Sequence, residues 1–366
     1  RPISAKALQD NVLQDNEALL EYFLTKKRVY CLVIGKSGFY IVTLPAKYED
    51  ITARVQKMLA NIRAYQRGER LRENLARDLY DLLVKPVEEH IEGKTLIIAP
   101  QGILAYLPFE ALVTEKNGEK IFMVEKYPMT YIQSGTVLGV LRSQHSTDNT
   151  QGGFVGFGDP VYDFQEYLKE TDAAGKESAT GEGKEGERIS DRKAKPAGGD
   201  PSPGAVFVKD LYLRSGGTLT RLKGTAEEIE AIDSLYDKTG ARHQKYLRIN
   251  ASEEKAKSPE MARYSYIHFS THGILQPGFQ AIVLSQIPSD REDGFLTLGE
   301  IMNTRFNARL VVLSACETGL GDVSNAEGVT GLTRAVMYAG SPAALVSLWS
   351  VADEPTRDLM TLFYEG

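Results

Sequence analysis

The sequence predicts an α/β fold built on a mostly parallel sheet flanked by helices. Three observations lead there. Short, continuously apolar β runs recur, among them Thr95–Ala99 and residues 310–314 (LVVLS), and such runs suit strands covered on both faces. Helical periodicity alternates with β runs through the C-terminal half, the pattern of a sheet with crossover helices. Hydrophobic residues make up 42% and charged residues 25% of the 366 residues. That supports one large core or two smaller ones and excludes a chain disordered throughout.

Residues 5–25 read as a helix running into a first strand. The runs RVYCLVI (28–34) and FYIVTL (39–44) read as a hairpin around Gly35-Lys36-Ser37-Gly38. A phosphate-binding loop would need Gly five residues before Gly35, where Tyr30 stands, so GKS is read as a turn. Residues 48–92 carry helical spacing at Ile51, Val55, Met58, Leu59 and Ile62 and again at Leu75, Leu79, Leu82 and Leu83, with Pro86 breaking or restarting the last helix. Strands follow at 95–99 and at 153–158, the second ending in Asp159-Pro160. A boundary near residue 150 divides the chain into an N-terminal half, 1–150, and a C-terminal half, 151–366.

Residues 165–204 hold 16 charged residues, 7 Gly and 3 Pro, against Tyr167, Leu168 and Ile189 as large apolars. Such a stretch cannot offset its ordering entropy, and it is expected to be a disordered insertion or mobile loop. Beyond it, Thr225-Ala226-Glu227-Glu228 has capping-box spacing and is expected to open a helix through Tyr236. A helix over 251–263, strands at 264–270 and 281–285, and a second capping box at Thr297-Leu298-Gly299-Glu300 follow. Strand 310–314, a helix near 326–339, strand 343–348 and a final helix from about Glu354 complete the series.

The net charge of −6 disfavours nucleic acid as a primary ligand. No apolar run reaches the length of a membrane span. Two cysteines, Cys31 and Cys316, are too few for a disulfide scaffold and point to a reducing, cytoplasmic setting. The start at Arg1-Pro2-Ile3-Ser4 shows no signal-peptide pattern. The missing initiator Met and a last helix cut at Gly366 lead us to expect a fragment of a longer protein, with neighbours on both sides.

Two segments carry candidate chemistry. Ile267-His268-Phe269-Ser270-Thr271-His272-Gly273 ends an apolar strand with His and Gly, and Ser314-Ala315-Cys316-Glu317-Thr318-Gly319 ends another with a Cys before a Gly-rich loop. Sites in open parallel sheets form beyond the carboxyl ends of strands. If these strands are neighbours, His272 and Cys316 meet at one edge. An imidazole can take the thiol proton and return it to a leaving amine, and the backbone N–H groups of Gly273 and Cys316 are candidate oxyanion donors. His268 is read as a supporting core histidine and Cys31, mid-strand, as core packing.

These residues resemble the His and Cys motifs of the CHAT domain, a group of caspase-like cysteine peptidases related to separase and often attached to tetratricopeptide repeats. His272 and Cys316 stand 44 positions apart, close to the caspase spacing. Further matching blocks occur in the family's order: Leu107-Pro108-Phe109-Glu110-Ala111-Leu112, Gly156-Phe157-Gly158-Asp159-Pro160, Leu222-Lys223-Gly224-Thr225-Ala226-Glu227-Glu228 and Ser347-Leu348-Trp349-Ser350-Val351-Ala352-Asp353. The resemblance covers about residues 75–366.

It implies a caspase-like three-layer α/β/α fold with a non-catalytic N-terminal half, comparable to the inactive half of separase. It implies a cysteine endopeptidase working through His272 and Cys316, with Gly273 and Cys316 as oxyanion hole and no metal or cofactor. Substrate backbone would pair beside Ser347 and Trp349. A preference for a basic residue before the cut would need a carboxylate from Asp159, Glu317 or Asp353. The implied partners are a protein substrate and a regulatory protein or repeat region absent from this chain, with no nucleic acid and no membrane. Lys184, Arg188, Arg192 and Lys195 make the 165–204 stretch a candidate for cleavage, including self-cleavage; a tolerated surface loop is the plainer reading.

The competing reading is a catalytically silent interaction module within a larger assembly. A ketoacyl synthase or class I amidotransferase is disfavoured, because no His follows residue 272 and no Lys follows residue 316 in this sequence.

Overall fold

A computed structural model describes residues 2–66, 68–116, 118–144, 152–178, 219–276, 279–288, 292–315, 328–347 and 353–366. The chain forms two compact units, Arg1–Asp148 and Asn149–Gly366.

In the first unit, helix α1 (Ala5–Asn11) is capped by the Ser4 hydroxyl, which accepts from Ala7 N–H. Strands β1 (Glu17–Leu24), β2 (Val29–Gly35) and β3 (Phe39–Leu44) form an antiparallel meander, with the expected hairpin between β2 and β3. Helices α2 (Tyr48–Gln66) and α3 (Glu73–Leu83) lead to β4 (Thr95–Ala99), which pairs parallel with β1. A two-stranded ribbon of β5 (Val113–Lys116) and β6 (Glu119–Phe122), the short α4 (Met123–Lys126), β7 (Met129–Tyr131) and α5 (Gly135–Gln144) follow. The sheet runs β3-β2-β1-β4-β7.

Cys31 on β2 is fully buried, and burial pushes its thiol up to about 12. Unfolding exposes a thiol that ionises near 9, so between pH 9 and 12 the unfolded state binds fewer protons than the folded one. That contribution to stability is intact below pH 9 and falls as pH rises, by up to about 1.4 kcal/mol per pH unit. Urea unfolding at pH 8 and pH 10 should show a smaller alkaline loss in Cys31→Val than in wild type.

The second unit holds a wholly parallel sheet. Strands β8 (Phe154–Pro160), β9 (His243–Arg248), β10 (Tyr266–Thr271), β14 (Leu310–Ala315) and β15 (Ala344–Val346) run in the order β15-β14-β10-β8-β9. Between β8 and β9 lie α6 (Phe164–Ser178) and α7 (Lys223–Asp237), and between β9 and β10 lies the short α8 (Glu253–Ala256). Between β10 and β14 come β11 (Gly273–Gln276), β12 (Phe279–Val283) and β13 (Phe295–Thr297), which form a separate antiparallel sheet, and α9 (Leu298–Asn303). Helices α10 (Gly328–Tyr338) and α11 (Asp353–Glu365) complete the unit.

Both sheet faces are covered. Ile267, Phe269, Val311 and Leu313 pack with Ile301, Phe306, Leu332 and Val336 on one side. On the other, Phe154 and Val312 pack with Ile229, Ile232 and Met360 from α7 and α11. The result is a three-layer α/β/α arrangement, as the sequence leads one to expect.

The close seating of α7 on β8 needs glycine. A Cβ on Gly158 would lie 2.6 Å from the Thr225 carbonyl oxygen and 2.9 Å from an Ile229 side-chain carbon. The backbone oxygen cannot swing aside, so Gly158→Ala should cost about 1–3 kcal/mol through overpacking, read as a lowered urea midpoint.

Three expectations are corrected. The stretch 165–204 begins in helix, not disorder: Phe164–Ser178 is α6, started by Asp163, whose carboxylate accepts from Gln165 and Glu166 N–H. Residues 179–218 lie outside the described residues, and with them Lys184, Arg188, Arg192 and Lys195. The helix expected over 251–263 is the one-turn α8 followed by a 3₁₀ turn at Pro259–Arg263, because Pro259 cannot continue an α-helix.

The third concerns the first capping box. Helix α7 starts at Lys223 with no side-chain cap on Leu222, so Thr225 and Glu228 fall inside it. The Thr225 hydroxyl donates to the Leu222 carbonyl and accepts from Asp159 N–H. Thr297 and Glu300, at identical spacing, do form a reciprocal box.

Candidate active site

The parallel register of β10 with β14 pairs Thr271 with Ala315. His272 follows Thr271 and Cys316 follows Ala315 in the sequence. Cys316 itself lies outside the described residues, as do Glu317 and Trp349.

His272 is 2% exposed. Its Nε2 lies 2.7 Å from the Thr220 carbonyl oxygen. A carbonyl only accepts, so Nε2 carries the proton, and in the neutral ring the lone pair belongs to Nδ1. Nδ1 is buried and has no hydrogen-bond partner among the described residues. The ring packs against Tyr162 with centroids 4.9 Å apart.

A hydroxyl chain fixes the backbone here. Thr271 Oγ1 donates to the Val283 carbonyl. That hydroxyl therefore accepts at 2.7 Å from the Tyr162 hydroxyl, whose oxygen in turn accepts from His272 N–H at 3.3 Å. The His272 carbonyl accepts from Val283 N–H at 2.8 Å. Alternation along β11 and β12 then places the Gly273–Ile282 pair in the non-hydrogen-bonded position, with Gly273 N–H directed away from β12.

Behind the strand ends lies a second buried polar group. Glu228 of α7 reaches the sheet with one oxygen 2.8 Å from His268 Nε2, and its other accepts from Ser270 Oγ at 2.9 Å and Ser314 Oγ at 3.5 Å. Ser270 and Ser314 are register partners on β10 and β14, so one carboxylate ties together the two strands that lead to His272 and Cys316. His268 is fully buried, with the rings of Phe154 and Tyr364 beside it.

The remaining candidates separate. Asp159, at the end of β8, is buried, and its carboxylate is bound by Arg221 and Arg248. Ser347 directly follows β15, which is an edge strand of the sheet among the described residues. Asp353 is the first residue of α11. Sequence reasoning missed Tyr162, Glu228, Arg221, Arg248 and the Thr220 carbonyl. Glu228 was visible but assigned to a cap; a main-chain oxygen leaves no signal in residue type.

Among the described residues, carboxylate oxygens of Glu253, Glu292 and Glu300 lie within 4.8 Å of one another. Lys257 already stands among them, 3.0 Å from Glu253 and 3.1 Å from Glu300 and also paired with Glu292. Burial pushes the Glu253 carboxyl up to about 8. This is a filled ion-pair cluster, and we assign it no metal.

A three-layer α/β/α sheet with a buried histidine just beyond the carboxyl end of its central strand is consistent with the caspase-like class, whose fold is related to that of cysteine peptidases. The chain belongs to the CHAT domain family, whose model matches residues 73–366. It is similar to tetratricopeptide repeat protein 28 of Mus musculus, 22% identical over 303 residues, and of Homo sapiens, 23% identical over 303 residues. The aligned region is 79% of this chain in each case, and 12% and 11% of those proteins respectively. The chain thus spans a small part of these repeat-containing relatives. No helix among the described residues is long and apolar enough to cross a membrane.

Proposed function

We propose that this chain is a cysteine endopeptidase module in which Cys316 is the nucleophile and His272 the acid–base. The observation that carries the reading is the state of His272: a buried ring with Nε2–H spent on the Thr220 carbonyl and Nδ1 left to receive a proton. The β10–β14 register supports Cys316 as the donor.

In the reaction the Cys316 thiol gives its proton to Nδ1, and the thiolate adds to the scissile carbonyl carbon. The carbonyl π electrons move to oxygen, where the N–H groups of Gly273 and Cys316 stabilise the charge. The tetrahedral intermediate collapses, the C–N bond breaks, and Nδ1–H protonates the departing amine. Water, deprotonated by His272, then opens the thioester and restores the thiol. Substrate backbone adds to the edge of β15 near Ser347 and Trp349.

Asp159 is committed to two arginines, so we leave selection of a basic residue to Glu317 and Asp353. The N-terminal unit takes no part in the chemistry. A repeat region like that named in the relatives is the proposed regulatory partner, with a cytoplasmic setting.

The test is a peptide probe with a cysteine-reactive warhead, read by mass spectrometry on Cys316. Labelling of wild type, labelling slowed by about 10²-fold or more in His272→Ala, and none in Cys316→Ala, is expected. Absence of labelling in wild type, with and without the repeat region, would leave the silent interaction module as the function.

A further inference from the structure

A ring held by a main-chain oxygen raises a question of support, since a carbonyl has no side chain of its own to keep it in place. Thr220 lies just before α7 and is followed by Arg221. The Arg221 guanidinium grips Asp159 in a two-pronged bond, Nη2 to Oδ2 at 2.7 Å and Nε to Oδ1 at 2.9 Å. Such paired bonds fix geometry as well as charge.

Asp159 is itself firmly placed. Its carboxylate is 3% exposed, its N–H donates to Thr225 Oγ1 at 2.8 Å, and Arg248 Nη1 approaches Oδ1 at 3.3 Å. Glu170 of α6 accepts from Arg248 at 2.8 Å and from Arg221 at 3.5 Å. Asp159 and Arg248 have φ of 45° and 52°, in the left-handed region that side chains disfavour. Backbone of that kind persists where its surroundings over-determine it, and it gathers at functional sites. Asp159 is the penultimate residue of β8, the strand next to β10, so the pair joins the neighbouring strand end to the segment that touches His272.

We infer that Arg221 and Asp159 are positioning residues: their ion pair holds the Thr220 carbonyl against His272 Nε2 and so keeps the ring in the tautomer whose Nδ1 accepts a proton. The inference rests on the reading of His272 as the acid–base. It gives Asp159 a different task from receiving a basic substrate side chain.

Imidazole ¹⁵N chemical shifts test this without relying on turnover. The full chain, labelled with ¹⁵N-histidine, is measured at a pH where the rings are neutral, with His272 assigned through His272→Gln. Wild type should show protonated Nε2 and bare Nδ1. Arg221→Gln and Asp159→Asn should each give a mixture of both tautomers at His272, while the His243 signals stay in place. Cys316 alkylation should slow by about two- to tenfold, following the fraction of rings in the wrong state.

If either single variant fails to fold, Asp159→Asn/Arg221→Gln removes both charges together, and the same shift is expected of it. Folded variants that keep the single Nε2–H form would overturn the inference, as would protonated Nδ1 in wild type. A tautomer shift in a protein that never labels at Cys316 would support the positioning role and count against the peptidase reading.

Discussion

His272→Ala should slow acylation of Cys316 by about 10²–10⁴-fold, the usual contribution of a placed general acid–base. Two proton transfers depend on this ring, one from the thiol and one to the amine. Alanine removes both and leaves the oxyanion donors and the β15 edge unchanged. The loss should therefore fall on kcat, with KM nearly unchanged. His272→Gln is a useful second variant because its side-chain amide can still donate to the Thr220 carbonyl. It should preserve the local structure and lose the rate. Equal rates for wild type and His272→Ala, measured by single-turnover labelling, would remove His272 from the chemistry.

The second large effect is on stability. Glu228→Ala should destabilise the second unit by about 3–5 kcal/mol, because it strips the shared acceptor from two buried hydroxyls and leaves a cavity beside them. His268 is fully buried, and Ser270 and Ser314 would lose their shared acceptor. For a unit of this size that is a fall in Tm of roughly 6–20 °C. Glu228→Gln, with one carbonyl oxygen still available to the serines, should fall less. A Glu228→Ala protein melting within about 2 °C of wild type would show that the carboxylate does not tie the strands together.

What the sequence disclosed and what it hid divide along physical lines. Apolar runs that become β8, β10 and β14 were legible because burial on both faces demands continuous hydrophobicity. The neighbouring of β10 and β14 could be posed only as a condition, since pairing partners are set by the whole sheet. The two Thr-x-x-Glu segments show the limit most plainly. Thr297 and Glu300 satisfy each other at a helix start, whereas Thr225 and Glu228 turn to Asp159 and to the β10–β14 serines. Spacing is identical in both; the difference is that buried hydroxyls and an imidazole wait opposite Glu228, and that information lies forty or more residues away.

The candidate site was legible to the extent that a polar side chain ends a strand, as His272 does after β10. Asp159 was legible as an acid near the site but not as one already bound by Arg221 and Arg248, which come from separate segments. Tyr162 was hidden because an aromatic residue after a strand is most often core, and its hydroxyl gains meaning only from Thr271 and His272.

The ring's acceptor at position 220 has a bearing on how genetic data from this domain should be interpreted. Every amino acid supplies the same oxygen there, so saturation mutagenesis would score Thr220 as tolerant although the histidine leans on it. Sensitivity would surface at positions 159 and 221, and a map of fitness costs would trace the scaffold around that atom while leaving the atom's own codon blank.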